Sequence, residues 1–409
     1  MRILSVTAQK PDSTGSGVYL SELVRNFEVL GHEQAVVAGV YKEDAIHLPE
    51  GVKTYPLYFK TEEVPFAIAG MSDEMPYEST VYGQMTSEMV KIFETAFVKR
   101  VKSAVEDFQP DIIVCHHLYL VTSLVREAFP EMKVFGFCHN TDLRQMKKIP
   151  LRRFFIKSQI QKLDGIFALH DEQKKEICQI YDVDANKIRV VGAGYNQTVF
   201  HRLEEIKKPS DKYRFIFAGK ISEKKGVMSL IRSLSYLPWE REKAEFVLAG
   251  GYGNQEEYDE ILEMARKAPY DVKFLGKLPQ TELAKEYNKS HTFILPSFSE
   301  GMPLTMIEAM SCGCKVVITD LPGIRPWVES HVDSAPVFYV TPPEMVNADE
   351  PVAESLVLFE KELAEKIREC AEFELTELPN LHRISWQNIC EEVVKLAEDE
   401  KSMKQSKYR

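Results

Sequence analysis

The sequence predicts two successive α/β domains, each a doubly wound parallel sheet. Three observations predict it. Apolar runs of strand length alternate with amphipathic runs of helix length from end to end. A polar stretch near the middle interrupts that alternation, which then restarts. A chain of 409 residues also exceeds one typical domain of roughly 100–200 residues. Strand and helix in strict alternation is the pattern of a parallel sheet whose crossover helices cover both faces.

In the first half the strand-like runs are RILSVTA, EQAVVAG, VKTYPLYF, DIIVCHH, KVFGFCH, DGIFALH and IRVVGAG. Between several of them lie GVYLSELVRNFEVLG, SEMVKIFETAFVKRVKSAVEDF and EQKKEICQIYDV, with apolar residues at three- and four-residue spacing. The polar segment HRLEEIKKPSDK (201–212) reads as a linker, which puts the domains at 1–205 and 206–385. After it come YRFIFAG, EFVLAG, VKFLG, HTFILPS, KVVITD and VFYV, with GVMSLIRSLSYL and TELAKEYNK the clearest helices. The tail WQNICEEVVKLAEDE is helical; a helix over 386–409 is expected to pack back on the first domain, with KSMKQSKYR frayed at its end. Two such domains are expected to face a cleft at the carboxyl ends of their strands, where open α/β sheets take ligands.

Composition excludes several classes. A formal charge of −11 opposes contact with a phosphate backbone, so nucleic acid is not an expected partner. Seven cysteines, an odd number scattered over a long chain, fit reduced thiols better than a disulfide framework. Cys312-Gly-Cys314 looks like half a metal site but has no second Cys/His pair close by, so core thiols are expected. MRILSVTA is too short for a signal segment and no 18-residue apolar stretch exists; a cytoplasmic protein is expected.

The chemistry concentrates in EGMPLTMIEAM, residues 300–310. HTFILPS before it is a buried strand, SFSEG is the loop at its carboxyl end, and Pro303 suits a first helical turn because its missing N–H would be unpaired there. The helix should begin near Met302 to Leu304, its free amides and positive dipole end aimed at an anion. Gly301 admits close approach of a ligand to the backbone. Glu300 sits at the lip of the loop and Glu308 one turn beyond Leu304, deeper along the helix. One carboxylate can meet a reacting group, the other a vicinal diol such as a ribose.

FILPSFSEGMPLTMIEAMSCGCKVVITDLPG resembles the donor-site signature of the retaining glycosyltransferases of family 4, whose glycosyltransferase B-type fold has two Rossmann-like domains. Their E-x7-E motif is matched by Glu300 and Glu308. The resemblance implies that Glu300 lies by the transferred sugar and that Glu308 holds the ribose. FIFAGKISEKKGVMSLIRSL is similar to the family's phosphate-binding segment, with Lys220 and Lys225 at the matching positions. With the helix start at Gly301, Met302, Pro303 and Leu304, these lysines would hold the diphosphate in place of a metal, stabilising the leaving group's charge. The family usually has Arg where this chain has Lys220, so a bidentate fork becomes a point charge. Gly276, Lys277 and Leu278, at the end of VKFLG, would flank the base.

The first domain adds fewer candidates. In PDSTGSGVYLSELV the third glycine position of a dinucleotide fingerprint is Leu20, so that fingerprint fails. The family resemblance instead implies Gly17 near the donor diphosphate and Gly15 on the acceptor side; a plain strand-to-helix turn is the alternative. His139, after KVFGFC, occupies a place where family members carry a histidine beside the transferred sugar. His116 and His117 are expected to be satisfied structural histidines, and His170 is undecided. Asp182-Val-Asp184 has the spacing of a metal-chelating pair but is remote from the donor motifs. RQMKKIPLRRFFIKSQIQK (144–162) combines seven cations with Ile149, Leu151, Phe154, Phe155 and Ile156. It fits an interfacial helix at a membrane, a surface for an anionic acceptor with Arg144 foremost, or a core-packed helix with lysines in solvent.

These readings lead to one expectation. The chain moves a sugar from a nucleoside-diphosphate sugar, most simply a UDP-sugar, to a hydroxyl acceptor with retention, using no cofactor or metal. An epimerase or phosphorylase of the same fold, or a noncatalytic nucleotide-sugar-binding protein, are the alternatives. The acceptor and the oligomeric state are open.

Overall fold

The computed structural model describes residues 1–72, 75–347 and 350–406, the side chains beyond 398 excepted. The chain forms two compact units, 1–194 with 385–409 and 195–384.

The first unit contains β1 (Arg2–Thr7), α1 (Gly15–Val29), β2 (Glu33–Val40), β3 (Lys53–Tyr58), the short pair β4 (Ala69–Gly70) and β5 (Thr80–Val81), and α2 (Ser87–Phe108). It continues through β6 (Ile112–His116), α3 (Leu120–Ala128), β7 (Lys133–Phe137), α4 (Thr141–Lys148), α5 (Arg153–Ile160), β8 (Gly165–Ala168), α6 (Asp171–Tyr181) and β9 (Ile188–Val190). Its sheet runs β3-β2-β1-β6-β7-β8-β9, all parallel. The strand order reverses between β1 and β6, the kind of switch point at which open α/β sheets take ligands. The central strands are buried on both faces, so they read as continuous apolar runs instead of alternating ones.

The second unit contains β10 (Tyr213–Ala218), α7 (Val227–Ser233), β11 (Ala244–Ala249), α8 (Gln255–Lys267), β12 (Asp271–Gly276), α9 (Gln280–Lys289) and β13 (Thr292–Leu295). Then follow α10 (Leu304–Ser311), β14 (Lys315–Thr319), α11 (Ile324–His331), β15 (Val337–Val340) and α12 (Ala353–Glu372). Its parallel sheet, β12-β11-β10-β13-β14-β15, reverses order between β10 and β13. The long helix α12 was not anticipated; it buries Phe359, Leu363 and Ile367 at helical spacing against this unit.

One expected boundary needs correction, and the placement expected for the terminal helix holds. The units part between Gly194 and Tyr195, not at 205/206, because 195–205 is tied to the second unit. The Leu203 N–H donates to Asn288 Oδ1 (2.8 Å), Asn288 Nδ2 donates to the His201 carbonyl (2.9 Å), and Phe200 packs on Tyr287. The terminal helix α13 (Trp386–Ser406) belongs to the first unit. Trp386 sets its ring edge-on to Tyr19 at 4.6 Å, and the Cys390 thiol reaches the Leu23 carbonyl on α1. The expected fraying of 401–409 falls partly outside the described residues: the helix runs to Ser406 and 407–409 are not described.

All seven cysteines are free thiols, six buried and Cys178 half-buried. Burial pushes the Cys314 thiol up to about 11, so it packs as a small apolar group while donating weakly to the Tyr287 carbonyl. Among the described residues no helix is long and apolar enough to cross a membrane.

Candidate functional site

The predicted donor residues of the second unit lie at or beyond strand carboxyl ends. β10 leads through Gly219 and Lys220 to a single 3-10 turn, Glu223–Lys225, and then through Gly226 into α7. Gly226 has φ +71°, and a Cβ there would lie 2.0 Å from the Pro296 carbonyl oxygen. Only glycine lets this loop touch the one that follows β13. The contact is sealed by the Phe298 N–H donating to the Lys224 carbonyl at 3.1 Å. Lys225 Nζ then stands 2.7 Å from Glu300 Oε1, with the lysine 30% and the glutamate 12% exposed. The two residues assigned separately to phosphate and sugar thus meet in one charge-assisted pair.

α10 starts at Leu304; Pro303 is the extended residue before it (φ −75°, ψ 97°), not part of its first turn. Met302 and Pro303 are buried and Gly301 is half-buried. Glu308 is buried on α10, and its backbone carbonyl accepts from Ser311 Oγ at 2.7 Å. Burial, and after it the Glu308 carboxylate, push the Tyr287 phenol well above its ordinary range. A buried carboxylate near a buried phenol is an arrangement that burial alone disfavours.

A row of bare backbone completes this edge. The Gly219 N–H donates to the Ala249 carbonyl (3.0 Å), Ile221 N–H to Gly251 (2.8 Å) and Gly250 N–H to Gly276 (2.8 Å). A Cβ on Gly250 would lie 1.7 Å from the Gly219 oxygen. Gly276, the last residue of the edge strand β12, and Lys277 after it are exposed and Leu278 is half-buried; Lys220 is half-buried beside Gly219. Ser222 and Ser297, on the two joined loops, are buried hydroxyls with no hydrogen-bond partner among the described residues. Sequence reasoning passed over Gly250, Ser222 and Ser297, although LAGGYG offered a glycine signal.

In the first unit the ends of β6 and β7 bring three imidazoles together. His116 Nδ1 and His139 Nε2 are 3.0 Å apart, and the His117 ring lies 4.9 Å from His139. Asp142 ties the two loops: it accepts from the Leu118 N–H at 2.7 Å and the His139 N–H at 3.2 Å. Burial raises its carboxyl to about 6 despite these bonds. Burial depresses His116 and His117 to about 3 each and holds His139 well below the usual imidazole range, so all three are neutral near pH 7. The expectation that His116 and His117 are satisfied is wrong: His116 Nε2 and His117 Nδ1 are buried without a hydrogen-bond partner among the described residues. Two non-glycine residues here, His117 (φ +71°) and Asn140 (φ +73°), hold left-handed φ values that cost about 1–3 kcal/mol each, strain that clusters at functional sites. Asp142 was missed; an acid two residues into a helix after a strand end was its signal.

The remaining predictions fare unevenly. Gly17 reads as a packing glycine: its N–H donates to the Thr14 cap, and a Cβ would meet the backbone of residues 10–12 at 2.8–3.0 Å. Gly15 is exposed with nothing within 4 Å of its Cβ position. His170 caps α6, its Nδ1 accepting from the Gln173 N–H. Asp182 ends α6 in the left-handed conformation and Asp184 Oδ1 accepts from the Asn186 N–H, so both serve turns. The segment 144–162 is not one interfacial helix. Pro150 forces Ile149 extended and Arg152 is left-handed, which splits it into α4 and α5. Ile149, Ile156 and Ile160 are buried in the core, roughly 1.5–3 kcal/mol each. Arg152 pairs with Glu94 (2.9 Å) and Lys147 with Glu176 (2.5 Å), while Phe154 is 91% exposed and Arg144 half-buried on α4.

Two family models match complementary parts of the chain: Glycosyltransferase Family 4 over residues 13–198 and Glycosyl transferases group 1 over 201–370. The chain belongs to glycosyltransferase family 4. Its fold is the glycosyltransferase B type, two Rossmann-like α/β domains. An uncharacterized glycosyltransferase of Methanocaldococcus jannaschii is 27% identical over 179 residues, 41% of this chain and 45% of that protein. A D-inositol 3-phosphate glycosyltransferase of Kribbella flavida is 25% identical over 336 residues, 76% of each chain. The match therefore spans about half the length of the first of these relatives and three quarters of the second. Anabaena HepE, crystallised with UDP-glucose, superposes with a TM-score of 0.63 at 18% identity over 99% of this chain and 100% of that one, a likeness of fold.

Proposed function

We propose that this family 4 member is a retaining glycosyltransferase that moves a sugar from a nucleoside-diphosphate sugar to a hydroxyl acceptor without a metal. The observation that carries the reading is the joint of two strand-end loops on which Lys225 meets Glu300, with Glu308 buried on the helix behind them. The diphosphate binds at the first turn of α10 with Lys220 and Lys225; Glu308 accepts from the ribose hydroxyls; Gly276 to Leu278 flank the base. Lys225 then exchanges Glu300 for phosphate oxygen, and Glu300 is released to meet the sugar as the leaving group gathers charge. His139 serves a hydroxyl of the sugar. Because burial makes the imidazoles near it weak bases, the acceptor's proton passes instead to the departing phosphate oxygen on the same face, which gives retention. HepE's complex supports UDP-sugars as the first donors to test.

The test is a thermal-shift panel of UDP-, GDP-, ADP- and TDP-sugars with chelator present, followed by transfer assays that read the product's anomeric configuration by NMR. A melting-temperature rise with one donor and an axial product from an axial donor are expected. No shift with any donor, or an inverted product, contradicts the reading.

A further inference from the structure

His116 carries no assigned role, yet it is hydrogen-bonded to the histidine placed at the sugar. The two rings lie at an interplanar angle of 11° with centroids 5.3 Å apart and nitrogens 3.0 Å apart. The centroid separation exceeds the nitrogen separation by about one ring diameter. The nitrogens must therefore lie on the line between the rings, and the rings meet edge to edge in one plane, where an imidazole N–H and lone pair point. The bond is well formed, and one ring must donate while the other accepts.

Which one donates follows from the far nitrogens. His116 Nε2 is buried and has no hydrogen-bond partner among the described residues. If His139 donated, the single proton of neutral His116 would sit on Nε2 as a buried N–H with nothing to accept it. If His116 donates through Nδ1, Nε2 holds only a bare lone pair, the less costly group to leave unmet. His139 then accepts at Nε2 and keeps its own proton on Nδ1. His139 is half-buried, and its Nδ1 makes no hydrogen bond with the described residues. The ring is steadied by Tyr19, edge-on at 5.2 Å, and its backbone by Asp142.

We infer that His116 is a positioning residue that fixes His139 as the Nδ1–H tautomer, so that His139 presents a neutral hydrogen-bond donor to an oxygen of the transferred sugar and does not act as a base. The contact with sugar rests on the function proposed above; the tautomer does not. The arrangement sets a specificity. A neutral N–H donor suits a hydroxyl or ring oxygen and offers nothing to an ammonium or a second N–H at that position.

The test uses the full chain labelled with 15N-histidine. Long-range proton–nitrogen correlation at neutral pH, with His139 assigned through His139→Asn, is expected to show Nδ1 protonated and Nε2 bare. Protonation of His139 on Nε2 overturns the inference whatever the protein binds. Two variants separate positioning from packing. His116→Asn keeps a donor where Nδ1 stood and should preserve the His139 tautomer; His116→Phe keeps the aromatic contact with Phe137 but has no donor, and should lose it. Calorimetry should then show affinity for UDP-glucose reduced about ten-fold in His116→Phe, the loss of one neutral hydrogen bond, with affinity for UDP unchanged, and UDP-glucose affinity restored in His116→Asn. Equal weakening of UDP and UDP-glucose, or no rescue, overturns the positioning role. Failure of the wild-type chain to bind any nucleotide-sugar overturns the proposed function, and the tautomer then decides this inference alone.

Discussion

Replacing Gly226 by Ala tests whether the two donor loops must touch. A residue with a Cβ at φ +71° bears about 1–2 kcal/mol of left-handed strain. The new methyl would also sit 2.0, 2.6 and 2.9 Å from the Pro296 oxygen, carbonyl carbon and Cγ. Two of these are backbone atoms, so no rotamer change relieves the clash, and overpacking of this kind adds roughly 1–3 kcal/mol. Together they amount to roughly 2–5 kcal/mol, a large part of a typical domain stability of about 5–15 kcal/mol. If the loops part instead, the Phe298–Lys224 bond and the Lys225–Glu300 pair break and donor affinity falls. Urea denaturation and calorimetric titration with UDP-glucose read the two outcomes. Gly276→Ala is the control: φ is +68°, but nothing lies within 4 Å, so only the strain applies. A Gly226→Ala protein with wild-type midpoint and affinity, or a Gly276→Ala fall in the urea midpoint as large as that of Gly226→Ala, refutes the argument.

Lys225→Met should lower UDP affinity about 10–100-fold by removing one charge-assisted bond, whereas Glu300→Gln should leave UDP affinity intact or raised while transfer is lost; paired titration and transfer assays decide. Stability should fall on acidification from about pH 6 to pH 4. His116 and His117, depressed to about 3 in the folded chain, take up protons only on unfolding in that range. Asp142, raised to about 6, opposes them with one proton. The unfolded state therefore binds at least one more proton, and stability should drop by at least about 1.4 kcal/mol per pH unit, as urea midpoints across that range would register. Gly17→Ala should lower stability without changing UDP affinity, since its Cβ would strike the backbone of residues 10–12; an affinity loss at unchanged stability returns Gly17 to the phosphate site.

The fold was legible because its strands are buried on both faces and so appear as apolar runs such as TFIL and KVVIT, set off by amphipathic helices. The helix α12 was overlooked although AESLVLFEKELAEKI carries apolar residues at helical spacing, because no predicted strand follows it to mark it as a crossover. The domain boundary slipped because the polarity of HRLEEIKKPSDK reports exposure; the bonds of His201 and Leu203 to Asn288 depend on a residue more than eighty positions away. The break at Pro150 was legible and overlooked. In the site, glycines and charges announced themselves by type, so Lys225, Glu300 and Glu308 could be named. Their pairing could not be, because it depends on Gly226 meeting Pro296. The imidazole pair is of the same kind: His116 ends β6, His139 lies 23 residues on in the loop just past β7, and only the β6–β7 register brings them edge to edge.

The most direct measurement is calorimetric titration of the chain with UDP-glucose in the presence of chelator, alongside Glu308→Ala. Saturable binding at one site per chain, lost in a Glu308→Ala protein that still unfolds cooperatively, is the predicted result. Undiminished binding by that variant, or no binding of any nucleotide-sugar by the folded wild-type chain, would contradict a donor site built on α10.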